Sequence, residues 1–279
     1  MDKNMFADLD DESISQTDSI KVEKPKTASF SENIGNKKPT IVIYGDKGKG
    51  KTTAAYSLIR DNEKVLVISA DGMSDIIAKE FFTRKNIEIY NTNKYDMIVI
   101  KKLPNGQYES MISMEAGNKN AQELIIKLQE LKEDEYDWLV VDGMNVLEQN
   151  LAEAVMRFKY SLQISDGVKN LSWWRDRSNY INFLFDICLK KAKKGVIYTL
   201  YPKIVEKKMT DGEVLEKEEF PHYAADLMYK TLIVLRVDNK KVKGEQRYFV
   251  DVITSKLARI KTGDVIDYTG KNLYDLVKI

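Results

Sequence analysis

The sequence predicts an α/β domain whose mostly parallel sheet is covered by helices on both faces. Three observations predict it. Short apolar runs recur with helical patterns between them, as in sheets buried on both sides. A glycine-rich turn joins the first such run to the first helical one. After Asp226 the pattern changes to closely spaced strands, which predicts an antiparallel extension at the C-terminal edge.

The chain has 279 residues, room for one large domain or two small ones. Residues 1–37 stand apart. They are polar and without sustained period, and residues 1–36 hold eight acids against four lysines. That composition predicts a disordered acidic tail before a mildly basic domain spanning 38–279. The formal net charge of +1 singles out no partner. The lone cysteine, Cys188, excludes an internal disulfide framework and fits a reducing cytoplasm. Its neighbours Phe183, Leu184, Phe185 and Ile187 predict a buried thiol rather than a nucleophile. The lone histidine, His222, excludes a His-rich metal site and a Ser-His-Asp triad. No apolar run has transmembrane length and no signal-peptide pattern is present, so no membrane partner is expected.

In order along the chain, Ile41, Val42, Ile43 and Tyr44 predict a buried strand and 53–59 a helix. Residues 65–69 predict a strand, 75–84 a helix and 87–90 a short strand. Residues 97–100 read as a strand or a connector. Leu124, Ile125, Leu128 and Leu131 give 121–132 a helical period. Residues 138–142 read as a buried strand, 146–160 and 173–193 as helices. Gly195 is expected to stop the second of these before a strand at 196–200. Strands follow at 231–237, 247–253 and around Val265 and Ile266, the first two joined tightly near Lys243 and Gly244.

The turn itself is Gly45-Asp46-Lys47-Gly48-Lys49-Gly50-Lys51-Thr52, which fits G-x-x-x-x-G-K-[ST] at every fixed position. Between a strand and a helix, such a turn aims backbone N–H groups and the positive helix end at an anion. Lys51 would reach the β- and γ-phosphates of ATP, Thr52 would hold Mg²⁺, and Thr53 continues the cradle. Trp138, Leu139, Val140 and Val141 lead into Asp142, an apolar strand that would set a carboxylate beside the same Mg²⁺. Gly143, not an acid, follows it, unlike the common AAA+ arrangement. The candidate for orienting the attacking water is therefore Asp71, just past the strand at 65–69. That role has this strand lying beside the first one; the alternative is a plain Asp-Gly turn.

This order of parts resembles the RecA-like P-loop ATPases. It is most similar to the short, core-only phage proteins of that kind, the phage nucleotide-binding AAA-type family, which act in single-strand annealing or recombination. The resemblance covers about 38–279. It implies ATP and Mg²⁺ as cofactors, single-stranded DNA and further copies of the chain as partners, and a virus-encoded protein in a bacterial or archaeal cytoplasm. It implies a catalytic carboxylate at Asp71 and a γ-phosphate sensor at Tyr201 or Thr199, where the family usually has Gln. It also implies cations delivered to a neighbouring subunit's nucleotide, for which Lys256 and Arg259 are the matching positions. Thr254 stands where the family has a further lysine.

By position, the resemblance places two DNA-facing loops, one at 161–172 with Lys169 and one at 202–222 with Lys203, Lys207 and Lys208. Asp211-Gly212 between β-prone runs predicts a hairpin in the second. Its first arm is basic, but Glu213, Glu216, Glu218 and Glu219 make the second acidic, so a solvated hairpin and a DNA contact both stay open. Trp173 and Trp174 open an apolar helical face, which predicts a core role for at least one of them. In the tail, Met5 and Phe6 set among acids suit docking onto a basic groove, such as that of a single-strand-binding or replication protein. Phe30 is a candidate for exchange between subunits.

Overall fold

The computed structural model describes residues 38–81, 86–162, 167, 171–208, 214–223 and 225–277. The predicted tail, with Met5, Phe6 and Phe30, lies outside them. Strand β1 (Thr40–Tyr44) runs through the glycine turn into α1 (Lys51–Ser57). Strand β2 (Val65–Ser69), helix α2 (Ser74–Phe81) and strand β3 (Ile87–Asn91) follow. Strands β4 (Ile98–Lys102) and β5 (Tyr108–Ile112) pair only with each other. Helix α3 (Met114–Glu130) leads to β6 (Tyr136–Asp142). Helix α4 (Met144–Leu147), a π-helical turn (Glu148–Ala152) and α5 (Glu153–Lys159) run on as one rod.

Helix α6 (Leu171–Lys191) then gives way directly to β7 (Ala192–Leu200). Strands β8 (Pro202–Lys208) and β9 (Val214–Pro221) form a second separate hairpin. The short helix α7 (Leu227–Lys230) precedes β10 (Ile233–Val242), β11 (Glu245–Ser255) and β12 (Val265–Asp267), and α8 (Leu273–Val277) closes the described chain.

The main sheet has the order β12-β11-β10-β1-β7-β6-β2-β3. Strands from β10 to β3 are parallel, and β11 and β12 add on antiparallel. The expected architecture, a mostly parallel sheet with helices on both faces and antiparallel strands at the C-terminal edge, is what the chain adopts. Alternation along β1 explains the two layers. Ile41 and Ile43 face a core shared with α1, α2 and α8, while Val42 and Tyr44 face one shared with α3, α4 and α6.

Three expectations need correction. Gly195 does not stop α6; it lies inside β7, where a Cβ would sit 2.4 Å from the Pro39 carbonyl oxygen and 2.9 Å from the Trp138 ring. The glycine serves close approach, not chain termination. Helix α3 starts well before residue 121, where Ser113 caps it by accepting from the Ala116 N–H. Its first turns carry Gly117, Asn118 and Asn120, poor helix formers that hide the period. The same Gly117 lets the rod approach, since a Cβ there would meet the Ala154 Cβ at 2.5 Å. Of the two readings of 97–100 the strand holds, as Ile98–Lys102, and its partner β5 was not foreseen. Finally, β2 does not lie beside β1; β7 and β6 stand between them. The tight link at Lys243 and Gly244 is as expected, both with positive φ (52° and 87°), as a two-residue hairpin turn requires.

Candidate functional site

Register brings the site together. Ser69 pairs with Asp142, Val141 with Tyr198, and Tyr44 with Leu200, so the carboxyl ends of β1, β7, β6 and β2 share one edge. A cleft of about 350 Å³ opens there. Lys47, Gly48, Gly50, Lys51, Thr52 and Thr53 line one wall, while Asp71, Asp142, Thr199 and Tyr201 contribute from the other strands. Parallel α/β sheets hold ligands at such an edge.

The glycine turn depends on backbone shapes and clearances that other residues lack. A Cβ on Gly45 would lie 2.8 Å from the Val237 carbonyl oxygen, and Gly50, at φ 92°, opens α1 with no side-chain cap. The first-turn N–H groups of α1 thus remain for an anion. Strand β10 braces the turn from outside: Lys49 pairs with Asp238 at 2.7 Å, and Asn239 Nδ2 donates to the Gly48 carbonyl at 3.0 Å. Lys51 Nζ donates to the carbonyls of Gly45 (2.8 Å) and Asp46 (2.9 Å) and lies 4.3 Å over the Tyr201 ring. Burial lowers the Lys51 pKa, and the charges of Asp142, Asp46 and Asp71 counter that shift.

Asp142 is 1% exposed, which is costly for a carboxylate unless donors surround it. Three hydroxyls do so. Thr52 Oγ1 (2.8 Å) and Ser74 Oγ (2.7 Å) donate to Oδ2, and Thr199 Oγ1 (2.6 Å) donates to Oδ1. The Thr199 oxygen in turn accepts from the Gly143 N–H at 2.8 Å. Burial raises the Asp142 pKa; Thr199 and Ser74 pull it down, nearby Asp71 pushes it up, and Thr52 pulls it down. Gly143 has φ 84°, a left-handed backbone in which a glutamate would be strained.

Asp71 lines the cleft although β2 is not next to β1. Its Oδ1 also accepts from the Met73 N–H at 3.0 Å. Of the two sensor positions, Thr199 is buried against Asp142, whereas Tyr201 is half-buried beside Lys51. The Tyr201 pKa is raised by burial, then by Asp71 and Asp142. Lys256 and Arg259 are exposed and follow β11, whose Ser255 pairs with Ile233 beside the start of β1. They therefore lie at the sheet end opposite their own glycine turn.

Lys169 lies outside the described residues, as do Asp211 and Gly212. Lys203 is exposed on β8, and Lys207 and Lys208 belong to the same strand. Across the hairpin Lys217 bridges to Glu206 at 3.0 Å, so part of its charge is paired within it. Trp173 is buried and Trp174 half-exposed, so one tryptophan is core as expected. Cys188 is buried and its thiol pushed up to about 12. No helix of the described residues is long and apolar enough to cross a membrane.

Residues not foreseen complete the edge. Ser74 reaches Asp142. Asn145 Oδ1 accepts from the Tyr201 N–H (2.7 Å) while its Nδ2 donates to the His222 carbonyl (2.9 Å). Tyr248 adds an aromatic wall. A Ser and an Asn, each three residues past a candidate acid, were the signals available for the first two.

The AAA domain family matches residues 37–264. The chain belongs to that family. No protein of curated function shows a significant sequence match. Among solved structures, a KaiC-like protein of Pyrococcus horikoshii is similar at 12% identity and TM-score 0.43, over 82% of this chain and 84% of that one. The flagellar accessory protein FlaH of Methanocaldococcus jannaschii is similar at 12% identity and TM-score 0.40, over the same shares. The RadB recombinase is similar at 13% identity and TM-score 0.44, over 82% and 87%. No function is carried over from likenesses this distant.

Proposed function

We propose that this AAA-domain chain binds and hydrolyses ATP with Mg²⁺, and acts as an oligomer on single-stranded DNA in recombination or strand annealing. One observation supports the nucleotide reading most: the Thr52 hydroxyl lies 2.8 Å from a buried Asp142 carboxylate at the head of the helix that follows the glycine turn. A hydroxyl and a carboxylate are hard oxygen donors of the kind Mg²⁺ takes, leaving its other positions to water and phosphate. Bound there, Mg²⁺ would neutralise charge on the β- and γ-phosphates. Lys51 would turn from the Gly45 and Asp46 carbonyls to the phosphates. Asp71, on the far wall of the same cleft, would orient water. Tyr201 would meet the γ-phosphate end.

The oligomer reading rests on Lys256 and Arg259. They cannot serve their own cleft from the far end of the sheet, so a role in catalysis requires a second copy. The DNA reading rests on the β8–β9 hairpin with its exposed Lys203, and the resemblance to phage proteins supports a phage origin. The Asp71 bond to Met73 supports a second reading, a nucleotide-gated accessory or helicase-loading module with little turnover, because it gives that carboxylate a purely structural use.

The ATPase rate with and without single-stranded DNA, for wild type and Asp71→Asn, separates the two. DNA-stimulated turnover lost in the variant is expected. ATP binding without turnover under either condition would favour the module and end the enzyme reading.

A further inference from the structure

Asp71 sits on a turn that is tied at both ends to one residue. On its upstream side, the Ala70 N–H donates to the Asp142 carbonyl at 2.9 Å. On its downstream side, Ser74 Oγ donates to Asp142 Oδ2 at 2.7 Å. Ser74 is 0% exposed, and its own carbonyl accepts from the hydroxyl of Tyr56 on α1 at 3.5 Å. Between the ties the chain bends at Gly72, with φ 73°, and Asp71 itself is exposed to the cleft. The same Oδ2 accepts from Thr52, the candidate metal ligand.

We infer that Ser74 is a positioning residue: its hydroxyl fixes the Asp71 turn to the carboxylate of the metal edge, so that the water-orienting acid and the Thr52–Asp142 pair keep one geometry. This rests on the ATPase reading above and adds to it a residue that touches neither nucleotide nor metal. The Tyr56 bond ties the downstream end of the turn to α1, whereas the Ser74 hydroxyl is what ties it to the carboxylate of the metal edge. Small displacements of a group that orients a reactant cost rate rather than affinity.

The test compares wild type, Ser74→Ala, Asp71→Asn and the double variant in ATP turnover, equilibrium ATP affinity and amide exchange of residues 70–76. Ser74→Ala is expected to lower kcat roughly tenfold. KM and ATP affinity should stay within about twofold of wild type. Exchange across 70–76 should speed up, and the serine change should add no further loss in the Asp71→Asn background. The inference is overturned by an unchanged kcat, by parallel loss of ATP affinity, or by losses that multiply fully in the double variant, since a general packing defect would produce the last two. If wild type binds ATP without turning it over, the enzyme reading fails by itself. Exchange then decides the tie: faster exchange in Ser74→Ala sustains it and unchanged exchange overturns it.

Discussion

The cleft edge and the two satellite hairpins are assembled in opposite ways. At the cleft, Thr52, Ser74 and Thr199 come from three separate stretches of chain and converge on a single buried carboxylate. Hairpins β4–β5 and β8–β9 each pair only with themselves and leave large apolar side chains in water: Ile98 is 68% exposed, Ile100 69% and Ile204 61%. A two-stranded ribbon has little independent stability, whereas groups locked into a parallel sheet open only with the whole domain. The chain thus concentrates rigidity where an anion and a cation would have to be placed and leaves its projecting arms to be ordered at their roots.

Four substitutions break or sharpen that contrast. The largest effect is expected at Lys51→Ala, which should weaken ATP binding on the order of a hundredfold by removing a charge-assisted phosphate contact. Calorimetric titration checks it, and unchanged affinity would count against the whole cleft. Thr199→Val removes one donor from buried Asp142 and should cost about 1–3 kcal/mol of stability. A melting curve matching wild type would mean that the three-hydroxyl cage is redundant. Asn145→Ala should cost about 1 kcal/mol and speed amide exchange through the β8–β9 hairpin while β7 stays protected. Uniform exchange would show the hairpin to be held elsewhere. Ile100→Thr, on the free ribbon, should change stability by less than about 0.5 kcal/mol, as exposed positions do. A larger loss by urea titration would show that β4–β5 packs on something.

The sequence carried the central strands of the main sheet well because they are buried on both faces. Continuous apolar runs such as 41–44, 65–69 and 138–142 need no partner to be read. It carried β5 poorly because the segment from Tyr108 to Ser110 shows no continuous apolar run to mark a strand. Lys51, Thr52 and Asp142 were legible from spacing and from the acid that ends an apolar run. Ser74 and Asn145 were not, since a serine opening a helix and an asparagine in a first turn look like caps until register shows what lies opposite them. Asp71 was found on a wrong premise about strand order: two strands separate β2 from β1, and the turn after β2 still lines the cleft.

The β8–β9 excursion begins after Tyr201 and closes at His222, and these two residues share a backbone hydrogen bond of 3.0 Å. Departure and return thus fall at one point, clasped by Asn145. A segment inserted in this way is a cassette: descent or engineering can lengthen it, recharge it or trade it without rethreading the sheet. The hairpin is free to change on a different schedule from the cleft at the sheet edge.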